Sequence, residues 1–144
     1  MDNGELNLDK LAAERAQEMV QLAKKNEIDG VKKPAETLER LVTKTLGVLQ
    51  EQGVYAMMLF LFSRTSDEAT VAEKCIRPEL YKTLKSLPSF KNNSDVPEDG
   101  EEAESALKFF TDSVLDDLDT LLLVREIYEQ TLIYARYGAK AEGK

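Results

Sequence analysis

Nine consecutive apolar residues, Val54 to Phe62, constrain this chain more than any other feature. The run reads Val-Tyr-Ala-Met-Met-Leu-Phe-Leu-Phe, follows a polar Gln50-Glu51-Gln52-Gly53 corner and is closed by Ser63-Arg64. Crossing a bilayer takes about 20 such residues, so the run is too short for a membrane span. A helix that is apolar on every side needs neighbours on every side. The expected fold is therefore all-α: a single-domain bundle of about five to seven helices around a central apolar helix at about 54–64.

The second constraint is an absence. There is no histidine, and Cys75 is the single cysteine. Without a histidine to activate it, Cys75 makes a poor nucleophile and reads as a semi-buried structural thiol. No P-loop, glycine-rich phosphate cradle or histidine-containing metal motif is present. The chain points to a scaffold or binding subunit and not to an enzyme, with no cofactor and no metal expected.

At 144 residues the chain fits one domain, spanning 1–144. A domain of this size buries close to about 70% of its unfolded surface and needs no staple. One cysteine gives neither a disulfide framework nor a zinc cluster, which suits a reducing cytoplasm. The opening residues, MDNGELNLDK, lack the basic and apolar regions of a signal peptide. The net charge of -8 is unevenly placed. Residues 1–91 carry 14 Lys/Arg against 14 Asp/Glu, and residues 92–144 carry 5 against 13. Bulk nucleic-acid affinity is not expected from such a balance; any nucleic-acid contact has to be local or assisted by a partner.

Helical periodicity organises the chain. Leu8, Leu11, Ala12, Ala16, Met19, Val20 and Ala23 form one stripe, predicting a helix over Leu8–Asn26 with Asn7 as its N-cap. Asp29-Gly30 reads as a turn. Pro34 suits a first helical position, and Leu38, Leu41, Val42, Leu46 and Leu49 make the buried face of the helix it opens. Gly53 either stops that helix or permits close packing in a kinked one. Thr65 with Glu68 reads as a capping box for a helix over Asp67–Ile76, and Pro78 starts a short segment, Glu79–Ser86. The breaker-rich stretch at about 88–100 is expected to be a mobile surface loop. Asp99 with Glu102 is a candidate cap for the next helix, and a break is expected near 112–120 before a last helix from about Asp119 to Ala139.

Three groups of residues carry possible chemistry. Asp116-Asp117-Leu118-Asp119 is the densest acidic cluster, and Asp116 and Asp119 share a helix face that could hold Mg²⁺. Glu36 with Glu39 and Glu126 with Glu129 add further pairs. A solvated acidic face or a helix cap is the plainer reading in so acidic a chain. In Tyr134-Ala135-Arg136-Tyr137, Arg136 and Lys140 fall on one helix face. A guanidinium beside aromatic rings grips phosphate or stacks on a base; alternatively these cations complement the helix dipole and Tyr134 packs. Lys44, Arg64 and the pairs Lys24-Lys25 and Lys32-Lys33 are further candidate phosphate contacts.

Two stretches together resemble the small, all-helical subunit of type III-B (Cmr-type) CRISPR effector complexes. One is Lys44–Arg64, with its polar-glycine corner and apolar helix ending in Ser-Arg. The other is Leu132–Ala141, LIYARYGAKA, similar to the family's closing helix of an aromatic, a basic residue and small residues. Arg15 and Ala16 suit an early arginine-containing helix. Tyr134 stands where the family often has Trp, Gly138 replaces a usual aromatic, and the acidic 95–119 region has no family counterpart. The resemblance implies a non-catalytic antiviral-defence subunit that stacks with neighbouring copies of itself beside the backbone subunit. It implies that Arg15, Lys44, Arg64, Arg136 and Lys140 turn toward guide RNA and target RNA, with no membrane contact. Two other classes stand beside it: an all-α Mg²⁺-dependent nucleotide pyrophosphohydrolase, and a helical adaptor that recognises another protein through an exposed apolar groove.

Overall fold

Asn7 Oδ1 accepts a hydrogen bond from the Lys10 backbone N–H at 3.0 Å. It thereby satisfies one of the donors that a helix start leaves open. The helix it caps, α1 (Leu8–Lys24), buries Ala12, Ala16, Met19, Val20 and Ala23 of the predicted stripe, with Leu8 and Leu11 partly buried against the core. The structure, a computed structural model, describes residues 7–24, 28 and 30–142. Lys25, the expected helix end at Asn26 and the Asp29 half of the Asp29-Gly30 turn lie outside those residues.

Pro34 opens α2 (Pro34–Gln52), where its missing N–H costs nothing. Gly53, at φ 99°, then separates α2 from α3 (Val54–Phe62). That backbone angle suits a residue without Cβ, so the two are distinct helices with a one-residue joint.

α3 buries Val54, Met57, Met58 and Leu61 but is not enclosed by helices on every side. Its outer aromatics are covered by arginines instead. The Arg64 guanidinium lies 3.9 Å from the Phe60 ring centre, and that of Arg77 lies 4.2 Å from Phe62. Such stacking shields an aromatic face while the charge stays in water. Leu59 is left 48% exposed.

α4 (Ser66–Val71) runs through a π turn, Ala72–Ile76, into α5 (Arg77–Ser86). Pro78 therefore sits inside one rod over 66–86, where the sequence suggested a fresh start. It has no N–H for the carbonyl four residues back. The wide turn, in which the Arg77 N–H bonds to the Ala72 carbonyl, carries the helix past it. The expected capping box is not made: Thr65 provides no side-chain cap, and Glu68 is drawn to cations described below.

The 88–100 connection opens with a 3₁₀ turn, Pro88–Phe90, and sends Phe90 and Val96 into the core. Phe90 meets Phe109 edge-on, with ring centres 5.5 Å apart. α6 (Ala103–Phe109) starts after Glu102 with no side-chain cap from it, so the expected Asp99–Glu102 cap is not made, and it widens into a second π turn, Phe110–Val114. The chain breaks over 115–117 before α7 (Leu118–Glu142).

α7 gathers the bundle. It runs parallel to α1, with Tyr134 beside Asp9 and Lys24 beside Glu142. It runs antiparallel to α2, with Gln50 bonded to Glu129 at one end and Pro34 near Glu142 at the other. Tyr128 and Phe110 are among the largest fully buried side chains; Phe110 is worth on the order of 1.5–3 kcal/mol of apolar burial, and the Tyr128 hydroxyl donates to the Leu80 carbonyl at 3.0 Å. The architecture is all-α, with no strand among the described residues. No helix of the described residues is long and apolar enough to cross a membrane.

Candidate nucleic-acid interface

Arg40 and Lys44 are one turn apart on α2, and so share a face. Across from them, on α4, stands Glu68. Lys44 Nζ is 2.9 Å and Arg40 Nε 3.1 Å from Glu68 Oε2. Arg64 Nη1 approaches Oε1 at 3.3 Å. Arg64 is further fixed by donating from Nε to the Phe60 carbonyl at 3.1 Å, the open end of α3. Burial pushes the Glu68 carboxyl up, but hydrogen bonds from Lys44 and Arg40, the Lys44 charge and the Arg64 bond together hold it below the ordinary range. Three cations thus share one carboxylate. The side chains of Arg40 and Lys44 remain 52% and 48% exposed, bordered by Glu36 and Glu39.

Of the five residues that the resemblance marks, the structure brings Lys44 and Arg64 together here, with Arg40 as an unforeseen third member. The signal for Arg40 was present: its i,i+4 spacing to Lys44 is that of Arg136 to Lys140.

Arg136 and Lys140 form a second exposed pair on α7, with no ion pair among the described residues. Tyr137 beside them is 66% exposed. Tyr134 is occupied differently, since its hydroxyl donates to Asp9 Oδ1 and ties α7 to α1. The Asp9 bond raises the Tyr134 phenol above its usual value.

Arg15 stands apart. Its Nη1 lies 2.8 Å from Oε1 of Glu79, a side chain with 0% exposure, and Lys82 reaches the other oxygen at 3.2 Å. Burial raises the Glu79 carboxyl above its ordinary range against the pull of Lys82 and Arg15. Arg15 is a structural cation of the α1–α5 seam. Lys24 pairs with Glu142 at 3.4 Å, and Lys32 and Lys33 are exposed before α2.

The acidic cluster resolves into a helix cap. Asp117 Oδ2 accepts from the Thr120 N–H at 3.0 Å and from its hydroxyl at 2.7 Å, bonds that lower its carboxyl. Among the described residues no three Asp, Glu, Cys or His side chains gather as a metal cage. Cys75 is buried within the first π turn. No family model, curated protein or solved structure matches the chain.

Proposed function

We propose that the chain is a non-catalytic small subunit of a type III-B CRISPR RNA-guided effector complex, working in the cytoplasm. Copies of it stack beside the backbone subunit and help hold the guide RNA–target RNA duplex. The observation that carries this reading is the cluster of Arg40, Lys44 and Arg64 around Glu68. With three cations to one carboxylate, and two of them half in water, a backbone phosphate can enter the cluster without disturbing the core. Charge-assisted bonds from guanidinium and ammonium to phosphate are the strong contacts of this kind. Arg136 and Lys140 supply a second phosphate-facing pair. All four of Lys44, Arg64, Arg136 and Lys140 fall in the two stretches, 44–64 and 132–141, that resemble the family. The acidic second half then faces basic protein neighbours.

The test is to recover the tagged chain from its native host at low salt and identify the protein and RNA that accompany it. Effector subunits and a short guide RNA are the expected company. A clean monomer with neither would overturn the proposal.

A further inference from the structure

Leu118 and Leu122 stand one turn apart on α7 with 66% and 54% of their surface exposed, and Leu115, in the turn before the helix, is 36% exposed. Single exposed leucines are ordinary. Leu118 and Leu122 share one face of α7 with Leu115 just before it, and no described element of the bundle covers them. Their border is acidic. Asp116, Asp117 and Asp119 are exposed between the leucines, and Glu126, also exposed, extends the Leu118–Leu122 row by one turn. Residues 112–126 hold five carboxylates and one cation, Arg125. Arg125 is turned away, donating from Nη2 to the Gln50 carbonyl at 3.0 Å. Asp117 is used as a cap, whereas Asp116, Asp119 and Glu126 have no ion pair among the described residues.

We propose that Leu115, Leu118 and Leu122 dock an amphipathic helix of a protein partner, aliphatic on one face and rich in Lys and Arg on its flanks. The leucines receive the aliphatic side chains, as in helix recognition generally. Asp116, Asp119 and Glu126 pair with the basic flanks, fix the orientation and speed the encounter. Charge selects this occupant over a second copy of the chain. Two copies meeting here would set acidic border against acidic border, and like charges across an interface are unfavourable. The surface occupies the first turns of α7, roughly 27 Å along the helix from Arg136. It is independent of the residues assigned to RNA.

The test uses the full chain and a fluorescent synthetic 14-residue helical peptide of leucine and lysine, with a counterpart carrying glutamate in place of each lysine. Binding is followed by anisotropy. Saturable one-to-one binding of the lysine peptide is expected, with the glutamate peptide at least tenfold weaker. Leu118→Ser with Leu122→Ser, and separately Asp116→Asn with Asp119→Asn, should each weaken binding at least tenfold while the thermal melt stays within a few degrees. Tyr137→Ser, another exposed apolar position, should change it less than twofold. The proposal is overturned if the lysine peptide does not saturate, if the glutamate peptide binds equally, or if the leucine variant binds like the parent. It is equally overturned if sedimentation shows a dimer that the leucine variant dissociates. None of these results bears on the RNA assignment.

Discussion

Arg15 and Glu79, 64 positions apart in the chain, meet at 2.8 Å with the carboxylate wholly out of solvent. Removing one member of a buried pair leaves the other charge uncompensated, which is far costlier than the net worth of the pair. Lys82 still reaches the other oxygen, so Arg15→Ala should destabilise the protein by about 2 kcal/mol, the worth of a lost charged hydrogen bond, read from urea unfolding. A loss as small as that of a surface residue would show that Lys82 alone satisfies Glu79.

Glu79 also sets a pH dependence. Burial raises its folded-state value above the 4.5 of a free glutamate. Between those two values the folded protein holds a proton that the unfolded chain has lost. Glu79 thus weakens the fold as pH rises through that window. Glu79→Gln keeps an acceptor for Arg15 and abolishes the titration. Melting temperatures of the two proteins from pH 4.5 to 7.5 should diverge in favour of the variant as pH rises. Divergence in favour of the parent would mean that its cations outweigh burial.

Glu68 works with the opposite sign. Its carboxyl is held below 4.5 by Lys44, Arg40 and Arg64 despite burial, so its contribution is full at neutral pH and is lost as pH falls below 4.5 through the folded value. Glu68→Gln should cost about 1 kcal/mol at pH 7, the upper end for partly exposed pairs. It also leaves the cations without their carboxylate. Its affinity for duplex RNA should rise severalfold with a steeper salt dependence, whereas Lys44→Ala with Arg64→Ala should lower both. Filter binding at two salt concentrations distinguishes these outcomes.

The legible parts of the fold were those governed by neighbours in sequence. Asn7 as a cap, Pro34 as a start and Gly53 as a joint depend on one or two residues of backbone chemistry, and each stands where the pattern put it. The run at 54–62 was legible as a core helix but not in orientation. An all-apolar helix has no face by which to read its neighbours, and two arginines took the place of packing helices. The Thr65-Glu68 pattern failed as a cap because α2 supplies two cations from 28 and 24 positions away. Pro78 read as a boundary because a π turn leaves no mark in composition. Of the candidate site, the exposed Arg136–Lys140 pair followed from helical spacing. The use of Arg15 in the core did not, because its partner lies on another helix.

Gly138 tests the α1–α7 seam. A Cβ added there would stand 3.1 Å from Val20 Cγ2, close enough that the valine must shift. Gly138→Ala also gains about 1 kcal/mol of helix propensity, so the two effects should nearly cancel. Gly138→Leu has no such balance and should cost about 1–3 kcal/mol through overpacking. Thermal unfolding of both variants checks the ordering, and equal stability would place the seam further open than described.

The central claim is that this chain touches RNA through two clusters of cations. Ultraviolet crosslinking of whatever assembly co-purifies with the tagged chain from the native host, followed by mass spectrometry of the RNA-bound peptides, tests it most directly. The account predicts crosslinks within 40–44, at or beside Arg64, and within 136–140, and none at Arg15. A complex that contains guide RNA but yields no crosslink to those segments would contradict it.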